Sequence, residues 1–263
     1  MQQIKIIHEP TAEEPFVVID KPAGLPSAPL SAADYDNALA QCASCFPSVL
    51  SVRGKKEIEH GLLHRLDTMT RGLLLISASQ DWYDSILEQQ SSGAFKKTYA
   101  ADCCFLPDNP HILGGFPPLS KTMSAFRYEP GDTITVRSYF RNFGKKSREV
   151  RPVTADSGHA ALKKCASGKL YETEISVMKK SSRTLSVRCT IPAGYRHQVR
   201  CHLAWLGIPV EGDMIYNALC RQFPVTEQFG TEQQADCNMR FSAEKLSFIH
   251  PCTGRRLTFS LGE

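Results

Sequence analysis

Asp67 and its neighbours form the segment best suited to acid–base chemistry. Asp67 follows Arg65, precedes two threonines, and lies between an apolar run and Gly72, where a backbone can bend sharply. A cationic neighbour keeps a carboxylate ionised and fixes its direction. The segment suits a catalytic acid, but it equally suits a capping or salt-bridging residue in a loop, and it leaves both interpretations open.

A second polar cluster follows at residues 197–202. His197 and His202 are five residues apart, a poor match to the i, i+4 spacing of zinc ligands on a helix. No carboxylate or cysteine completes a ligand set. Arg200 between them suits a basic helix start that binds an RNA phosphate or pairs with Asp67, so we expect no metal here.

Tyr99 lies on a predicted strand. An aromatic side chain on a strand commonly packs in a core, but bases that leave an RNA stack are also bound against aromatic rings. Both interpretations stand. The chain has no glycine-rich nucleotide-binding loop and no G-x-S-x-G motif.

Composition narrows the class of protein. The chain has 263 residues, 42% of them hydrophobic, and a formal net charge of +4. These values exclude a disordered, fibrous or histone-like chain. No run approaches the ~20 apolar residues of a membrane span, and the first ten residues lack the apolar core of a secretory signal. We expect a cytoplasmic protein whose ten cysteines are reduced thiols, although a zinc site at Cys42 and Cys45 is the alternative.

Short strands in runs, with few helices, predict an α+β fold. We expect a mainly antiparallel mixed β-sheet with flanking helices and loop insertions. The predicted strands cover residues 16–19, 95–105, 133–139, 171–178 and 184–191, and the tail from residue 246 is a predicted hairpin. The predicted helices cover residues 32–45, 80–93 and 197–206. We predict a single domain over 1–263, with insertions at about 106–165 and 217–240.

The first insertion carries a cluster of cations with Glu149 as the single acid among them. The cations are Arg137, Arg141, Lys145, Lys146, Arg148 and Arg151. From charge alone, the cluster is either a solvated loop or a mobile arm that contacts phosphates, which supply most sequence-independent affinity for nucleic acid.

Six blocks in order resemble the RluA-type family of RNA pseudouridine synthases. They extend from about residue 14 to 260, and each alone is weak. The blocks are the K-P-x-G turn after the strand at 16–19, His64-Arg65-Leu66-Asp67 through Leu75, Lys97-Thr98-Tyr99, His197-Gln198-Val199-Arg200 with His202-Leu203, Gly212-Asp213 through Tyr216, and Leu246 through Pro251. The family often carries an N-terminal S4 domain, which we do not expect here.

Three positions depart from the family pattern. Arg71 stands where the family usually has serine, the arginine of the G-R-x-H-Q block is displaced to Arg196, and residues 241–243 replace L-H-A. None coincides with a position that matches a catalytic residue, but they leave the identity of the substrate open.

The resemblance implies that uridine in structured RNA, either rRNA or tRNA, is isomerised to pseudouridine. Asp67 would be the essential carboxylate, either as a nucleophile or as the base that forms a glycal. Tyr99 would stack on the uracil and assist proton transfer at C5, and Arg200 would pair with Asp67. Because the product is an isomer of the substrate, the resemblance implies no cofactor and no metal.

The resemblance also implies RNA as the partner. We expect a monomer by default, with no membrane and no obligate protein partner. The reacting base would be flipped out, and Arg65 would fill the gap. The predicted RNA-contacting residues are Arg65, His64, Thr70, His197, Gln198, Arg137, Arg141, Lys145, Lys146, Arg148 and Arg151.

Three other functions remain as alternatives. The first is a non-catalytic RNA-binding module that retains the fold. The second is a nucleosidase or glycosidase with Asp67 as a lone carboxylate, although most glycosidases need a second carboxylate. The third is a zinc-binding interaction protein.

Overall fold

A computed structural model describes residues 2–31, 34–105, 113–166, 168–218, 220 and 239–262. The chain divides into two compact units. The first comprises Met1–Tyr99 and Ser242–Glu263, and the second comprises Ala100–Phe241. The single domain over 1–263 stays a prediction. Residues 106–112, 219 and 221–238 of the two predicted insertions lie outside the described residues.

Ten β-strands and five α-helices lie within these ranges. The strands are β1 (Lys5–His8), β2 (Phe16–Lys21), β3 (Arg71–Ser77), β4 (Lys96–Cys104), β5 (Thr133–Phe143), β6 (Glu149–Val153), β7 (Tyr171–Lys180), β8 (Thr184–Ile191), β9 (Phe241–Ile249) and β10 (Arg256–Ser260). The helices are α1 (Ala38–Cys45), α2 (Gln80–Ser92), α3 (Lys121–Ser124), α4 (His159–Lys163) and α5 (Gln198–Trp205). None of these helices has the length and apolar character needed to cross a bilayer.

The first unit is built on the strand order β1-β2-β3-β9, with β10 paired to β9. Strands β3 and β9 run parallel, whereas the other three pairings are antiparallel. Helix α2 begins after Ser79 and ends at Gly93, whose φ of 80° closes it. Its buried residues Trp82 and Tyr83 join Phe16 and Phe248 in an apolar core.

The second unit is built on the strand order β8-β7-β5-β6, antiparallel throughout. Helix α5 packs against β6 and β7. Phe140, Val150, Cys201 and Tyr216 are fully buried in its core. The prediction of a mainly antiparallel mixed sheet with flanking helices is confirmed.

The region at 106–165 is more regular than the sequence suggested. Strand β5 continues to Phe143 and returns as β6 in a hairpin, so the segment that carries the predicted cation cluster is a β-hairpin. The turn between the strands contains Gly144 and Lys146, both at positive φ. Helix α1 begins at Ala38 and not at the predicted residue 32. Its cap is Asn37, whose side chain accepts the N–H of Ala40 at 2.9 Å.

Candidate active site

The loop that carries Asp67 is fixed on both sides of the carboxylate. The N–H of Leu66 donates to the Ser27 hydroxyl at 2.9 Å. That hydroxyl in turn donates to the Leu66 carbonyl at 2.8 Å. On the other side, the N–H of Thr70 donates to the Asp67 carbonyl at 2.9 Å and closes a turn before β3. Asp67 itself is half-buried, so its carboxylate stands on a rigid support.

Gly72 makes the exit from this loop possible. Its φ is +123°, and a Cβ atom at this position would lie 2.4 Å from the carbonyl oxygen of Ala243. The two residues are register partners in the parallel pairing of β3 with β9. Only glycine fits a backbone approach this close at positive φ.

Lys21 is a site residue to which sequence reasoning assigned no role. Its side chain is fully buried. Its Nζ donates to the carbonyl oxygens of Pro22 at 2.9 Å, Leu25 at 2.7 Å and Thr68 at 3.1 Å. Burial lowers the pKa of Lys21 to about 8, although the charges of Asp67 and Asp20 oppose that change. The ammonium therefore ties the K-P-x-G turn to the residue after Asp67.

Tyr99 lies in the first unit near the charge of Asp67. Its side chain is buried. Burial raises the pKa of the Tyr99 phenol, and the negative charge of Asp67 raises it further. The phenol is therefore neutral, with its proton in place, and within electrostatic range of the candidate carboxylate.

The predicted RNA contacts of His64 and Thr70 do not fit their surroundings. His64 is buried, and its Nε2 accepts the N–H of Leu75 at 3.3 Å. Burial lowers the pKa of His64 well below its usual range, and the Lys97 charge adds to that effect. Thr70 is 1% exposed. Neither side chain presents a polar group to solvent, so these two residues support the loop instead.

Arg65 keeps an accessible guanidinium. Its side chain is 56% exposed, and its Nη1 lies 3.1 Å from Glu59 Oε1. Glu59 is largely buried and also lies 3.8 Å from Lys56 Nζ, so the Arg65 side chain is the accessible member of the pair.

In the second unit, Arg200 is held by a carboxylate. Its Nε lies 2.7 Å from Asp213 Oδ2, and its Nη2 lies 2.7 Å from Asp213 Oδ1. Arg200 is 5% exposed and Asp213 is fully buried. The sequence contained Asp213 in one of the matching blocks, but nothing there assigned it to Arg200.

Gln198 and His197, at the start of α5, have different surroundings. The Gln198 amide is buried and donates to the Glu172 carbonyl at 2.8 Å and to the Thr173 hydroxyl at 3.1 Å. The predicted RNA contact of Gln198 is therefore not supported. His197 is half-buried, adopts a φ of 56°, and places Nδ1 3.1 Å from the Tyr216 hydroxyl.

His202 fastens α5 to two strands. Its Nδ1 lies 2.8 Å from the Thr173 hydroxyl, and its Nε2 lies 2.9 Å from the Ser138 hydroxyl. Burial lowers the pKa of His202 to about 3, so the ring is neutral. Among the described residues, no group of three or more His, Cys, Asp or Glu side chains could hold a metal ion.

Two of the predicted RNA-contacting arginines on the hairpin are buried. Arg151 is 1% exposed, pairs with Glu149 Oε2 at 2.7 Å, and lies over the rings of Phe143 and Phe116. Arg141 is 9% exposed and donates to the Gly115 carbonyl at 3.0 Å. Both guanidinium groups contact residues of the same unit, so the predicted RNA contacts of Arg151 and Arg141 are not supported.

The other cations of the hairpin remain at the surface. Arg137 is exposed and pairs with Glu172 at 3.2 Å. Three exposed cations stand at the turn between β5 and β6, and we term them the tip cations: Lys145, Lys146 and Arg148.

Arg196, the displaced arginine of the G-R-x-H-Q block, fastens the turn that carries the tip cations. Its Nη2 donates to the carbonyl oxygens of Ser147 at 2.5 Å and Glu149 at 3.1 Å. The same nitrogen donates to Asn142 Oδ1 at 3.3 Å. Both ends of the turn are therefore tied to one guanidinium.

Residues 15–205 match the family model for RNA pseudouridylate synthase. The chain is similar to RNA pseudouridine synthase 1 of Oryza sativa subsp. japonica. The two are 27% identical, and the match covers 94% of this chain and 70% of that protein. It is also similar to ribosomal large subunit pseudouridine synthase D of Zymomonas mobilis subsp. mobilis. Here the identity is 23%, and the match covers 94% of this chain and 66% of that protein. Among solved structures, human RNA Pseudouridylate Synthase Domain Containing 1 shares the fold, with a TM-score of 0.62 at 16% identity over 100% of this chain and 84% of that chain.

Proposed function

Because the chain belongs to the RluA-type family of RNA pseudouridine synthases, which are intramolecular isomerases, we propose that it converts uridine in structured RNA to pseudouridine with Asp67 as the essential carboxylate. The name of the Zymomonas mobilis relative specifies the large ribosomal subunit. A ribosomal or transfer RNA stem-loop in the cytoplasm is the proposed substrate, and the protein acts as a monomer.

The isomerisation moves one glycosidic bond within one nucleotide. The N1–C1′ bond breaks, the uracil turns, and C5 bonds to C1′. The proton lost from C5 is balanced by the proton gained at N1, so the reaction requires neither an oxidant nor a group donor. An ionised Asp67 serves this reaction either by adding covalently to the nucleotide or by removing a ribose proton to form a glycal.

The observation that carries the proposal is the arrangement of Asp67 and Tyr99 in the first unit. The half-buried carboxylate stands on a fixed turn, and the neighbouring phenol keeps its proton. A flipped uracil needs a flat side chain to stack on, and C5 needs a proton acceptor after the new bond forms. In the proposed mechanism Tyr99 supplies the stack and relays the proton, and Arg200 is the third catalytic residue.

RNA binding is proposed to use the cations that remain at the surface. Arg65 fills the space that the flipped base leaves, because a planar guanidinium both stacks and binds phosphate. The tip cations contact phosphates of the stem. His197 and Arg137 also contact the RNA.

A nucleoside-level product assay tests the proposal. Wild-type protein, D67N and D84N are incubated with unmodified ribosomal and transfer RNA transcripts, and pseudouridine is quantified after digestion. Asp84 is an exposed acid on α2. D84N therefore makes the same chemical change at a position outside the candidate active site. We expect pseudouridine from wild type and D84N and none from D67N.

The other outcomes distinguish the alternatives. RNA binding without pseudouridine from the wild type would favour a non-catalytic RNA-binding module. Free uracil in place of pseudouridine would favour a nucleosidase. Equal product from D67N and wild type would refute the role of Asp67.

A further inference from the structure

We infer that a cavity in the second unit binds one nucleotide of the RNA substrate other than the uridine that reacts. The inference rests on the proposed function, because it takes RNA as the ligand. The cavity has a volume of about 310 Å³, within the range of pockets that bind small ligands. It is lined by the turn between β5 and β6 and by two residues that follow Asp213, namely Lys145, Arg148, Glu149, Met214 and Ile215.

The polar part of the lining has an excess of positive charge. Lys145 and Arg148, two of the three tip cations, are exposed side chains. Glu149 is the acid in the lining, but its Oε2 lies 2.7 Å from the buried guanidinium of Arg151, which balances its charge. Because lysine and arginine bind phosphate through charge-assisted hydrogen bonds, the excess charge suits a phosphate group.

The rest of the lining is apolar. Met214 is 41% exposed, and Ile215 is half-buried and packs against the core of the second unit. The N–H of Ile215 donates to Asp213 Oδ1 at 2.8 Å, which fixes the backbone of this wall. A thioether makes favourable contacts with aromatic rings, and an unstacked base presents such a ring. Cations and an exposed thioether in one cavity therefore match the phosphate and the base of one nucleotide.

The turn that carries the cations has an unfavourable backbone conformation. Lys146 has a φ of 54° and Ser147 a φ of 55°, in the left-handed region that residues other than glycine rarely adopt. Observed strain of this kind is concentrated at binding and catalytic sites. The conformation places Lys145 and Arg148 in the lining and leaves Lys146, which lies between them in sequence, outside it.

The position of Lys146 favours a nucleotide within a chain over a free nucleotide. An exposed cation beside a cavity for one nucleotide suits the next phosphate along a strand, which a free nucleoside monophosphate lacks. The described residues of the lining include none of the proposed catalytic residues Asp67, Tyr99 and Arg200. The bound nucleotide is therefore a second one, distinct from the reacting uridine.

Binding of RNA that lacks single bases tests the base contact. The probe is a transcript that the wild type converts, synthesised with one abasic nucleotide at a time, and the Kd is measured for wild type, M214Q and M178Q. Met178 is a matched control, because it is 44% exposed on β7 and does not line the cavity. We expect M214Q to weaken binding of intact RNA about 2–10-fold, the range of a sulfur–aromatic contact, and M178Q to match the wild type. At one position away from the target uridine, loss of the base should weaken binding by the wild type by the same factor and have no further effect on M214Q.

Two charge variants of the same turn test the phosphate contact. R148A and K146A each remove one cation, and each should reduce the slope of log affinity against log salt by about 1. If the base and the phosphate of one nucleotide share the cavity, the losses of R148A and M214Q do not multiply, whereas those of K146A and M214Q do.

The opposite outcomes are distinct from one another. Equal binding by M214Q and M178Q, or a loss in M214Q that is the same for every abasic position, would overturn the inference and leave the proposed function intact. Release of the RNA from the wild type, but not from M214Q, by nucleoside monophosphates at the concentration of the RNA would assign the cavity to a free nucleotide and overturn the assignment to RNA. A wild type that makes no pseudouridine would refute the proposed function and with it the premise of the inference.

Discussion

Replacement of Lys21 by methionine removes a buried charge from beneath the loop that carries Asp67. Methionine preserves most of the side-chain volume, so K21M isolates the loss of the ammonium. Three carbonyl oxygens, those of Pro22, Leu25 and Thr68, lose the hydrogen bond from the ammonium, and that of Thr68 keeps a second donor, the Gly24 N–H at 2.8 Å. The third belongs to the residue after Asp67, so we expect kcat to fall along with stability.

The size of the stability change follows from two opposing contributions. Hydrogen bonds from a charged donor contribute roughly 1.5–3 kcal/mol each, so three of them amount to about 5–9 kcal/mol. Against this, the fall of the Lys21 pKa from 10.5 to about 8 means that burial, net of the attraction to Asp67 and Asp20, disfavours the ammonium by roughly 3 kcal/mol, and methionine recovers that cost. We expect the free energy of unfolding to fall by about 2–6 kcal/mol at pH 7.

The pH dependence provides the sharper assay. Between pH 8 and 10.5 the unfolded chain keeps a proton on Lys21 that the folded chain has lost, so the wild type gains stability as pH rises through this window, by up to roughly 3 kcal/mol. K21M lacks this gain.

The free energy of unfolding is measured by denaturant titration for both proteins at each pH. The difference between them is followed, because Lys97, whose pKa is also lowered to about 8, contributes equally to both. K96M, at an exposed lysine of β4, should match the wild type within about 0.5 kcal/mol. A difference that does not change with pH would refute the account of Lys21.

Three further outcomes are expected. G72A should lower the free energy of unfolding by about 2–4 kcal/mol, through strain at positive φ and the clash with the neighbouring carbonyl. In the control G131A, φ is also positive but the space around it is open, so only the strain should lower its stability. Equal losses of the two variants in thermal unfolding would contradict the clash. Alanine at all three tip cations should reduce the slope of log affinity against log salt for RNA by about 2–3 without a change in melting temperature, and an unaltered slope would remove them from the RNA interface. The lowered pKa of Asp213 contributes stability that is complete above pH 3.8 and is lost as pH falls below it, so the stability difference between wild type and D213N should shrink in acid titration, and a constant difference would show that this carboxylate is not ionised.

The sequence predicts those elements whose signals are local. The alternation of buried and exposed residues along β7 and β8 and the glycine that ends α2 are visible in a short window. The predicted start of α1 at residue 32 is wrong, since the helix begins at Ala38 after the Asn37 cap. Asp67 is a candidate from its own neighbours, and the resemblance in motif order adds a role but carries no geometry.

The remainder depends on partners distant in the chain. Arg151 was counted with the solvent-facing cations, but Phe116, 35 residues earlier, covers its guanidinium. Lys21 has no sequence signature as a support for Asp67, because its acceptors are backbone carbonyls, including one 47 residues away. Charge and composition cannot reveal such contacts, since backbone oxygens are the same at every position.

In the proposed RNA interface, the ties that Arg196 makes to the hairpin turn would affect the thermodynamics of substrate choice. A flexible basic loop loses conformational entropy when it binds, and it adapts to many ligands. Here the turn is fastened at Ser147 and Glu149 beforehand, so the backbone positions that carry the tip cations are set before any ligand binds. In the proposed interface, an array of this kind favours RNA whose phosphates already have the matching spacing. The ordering cost would then fall on unstructured RNA, which would make the folded state of the substrate itself a determinant of recognition.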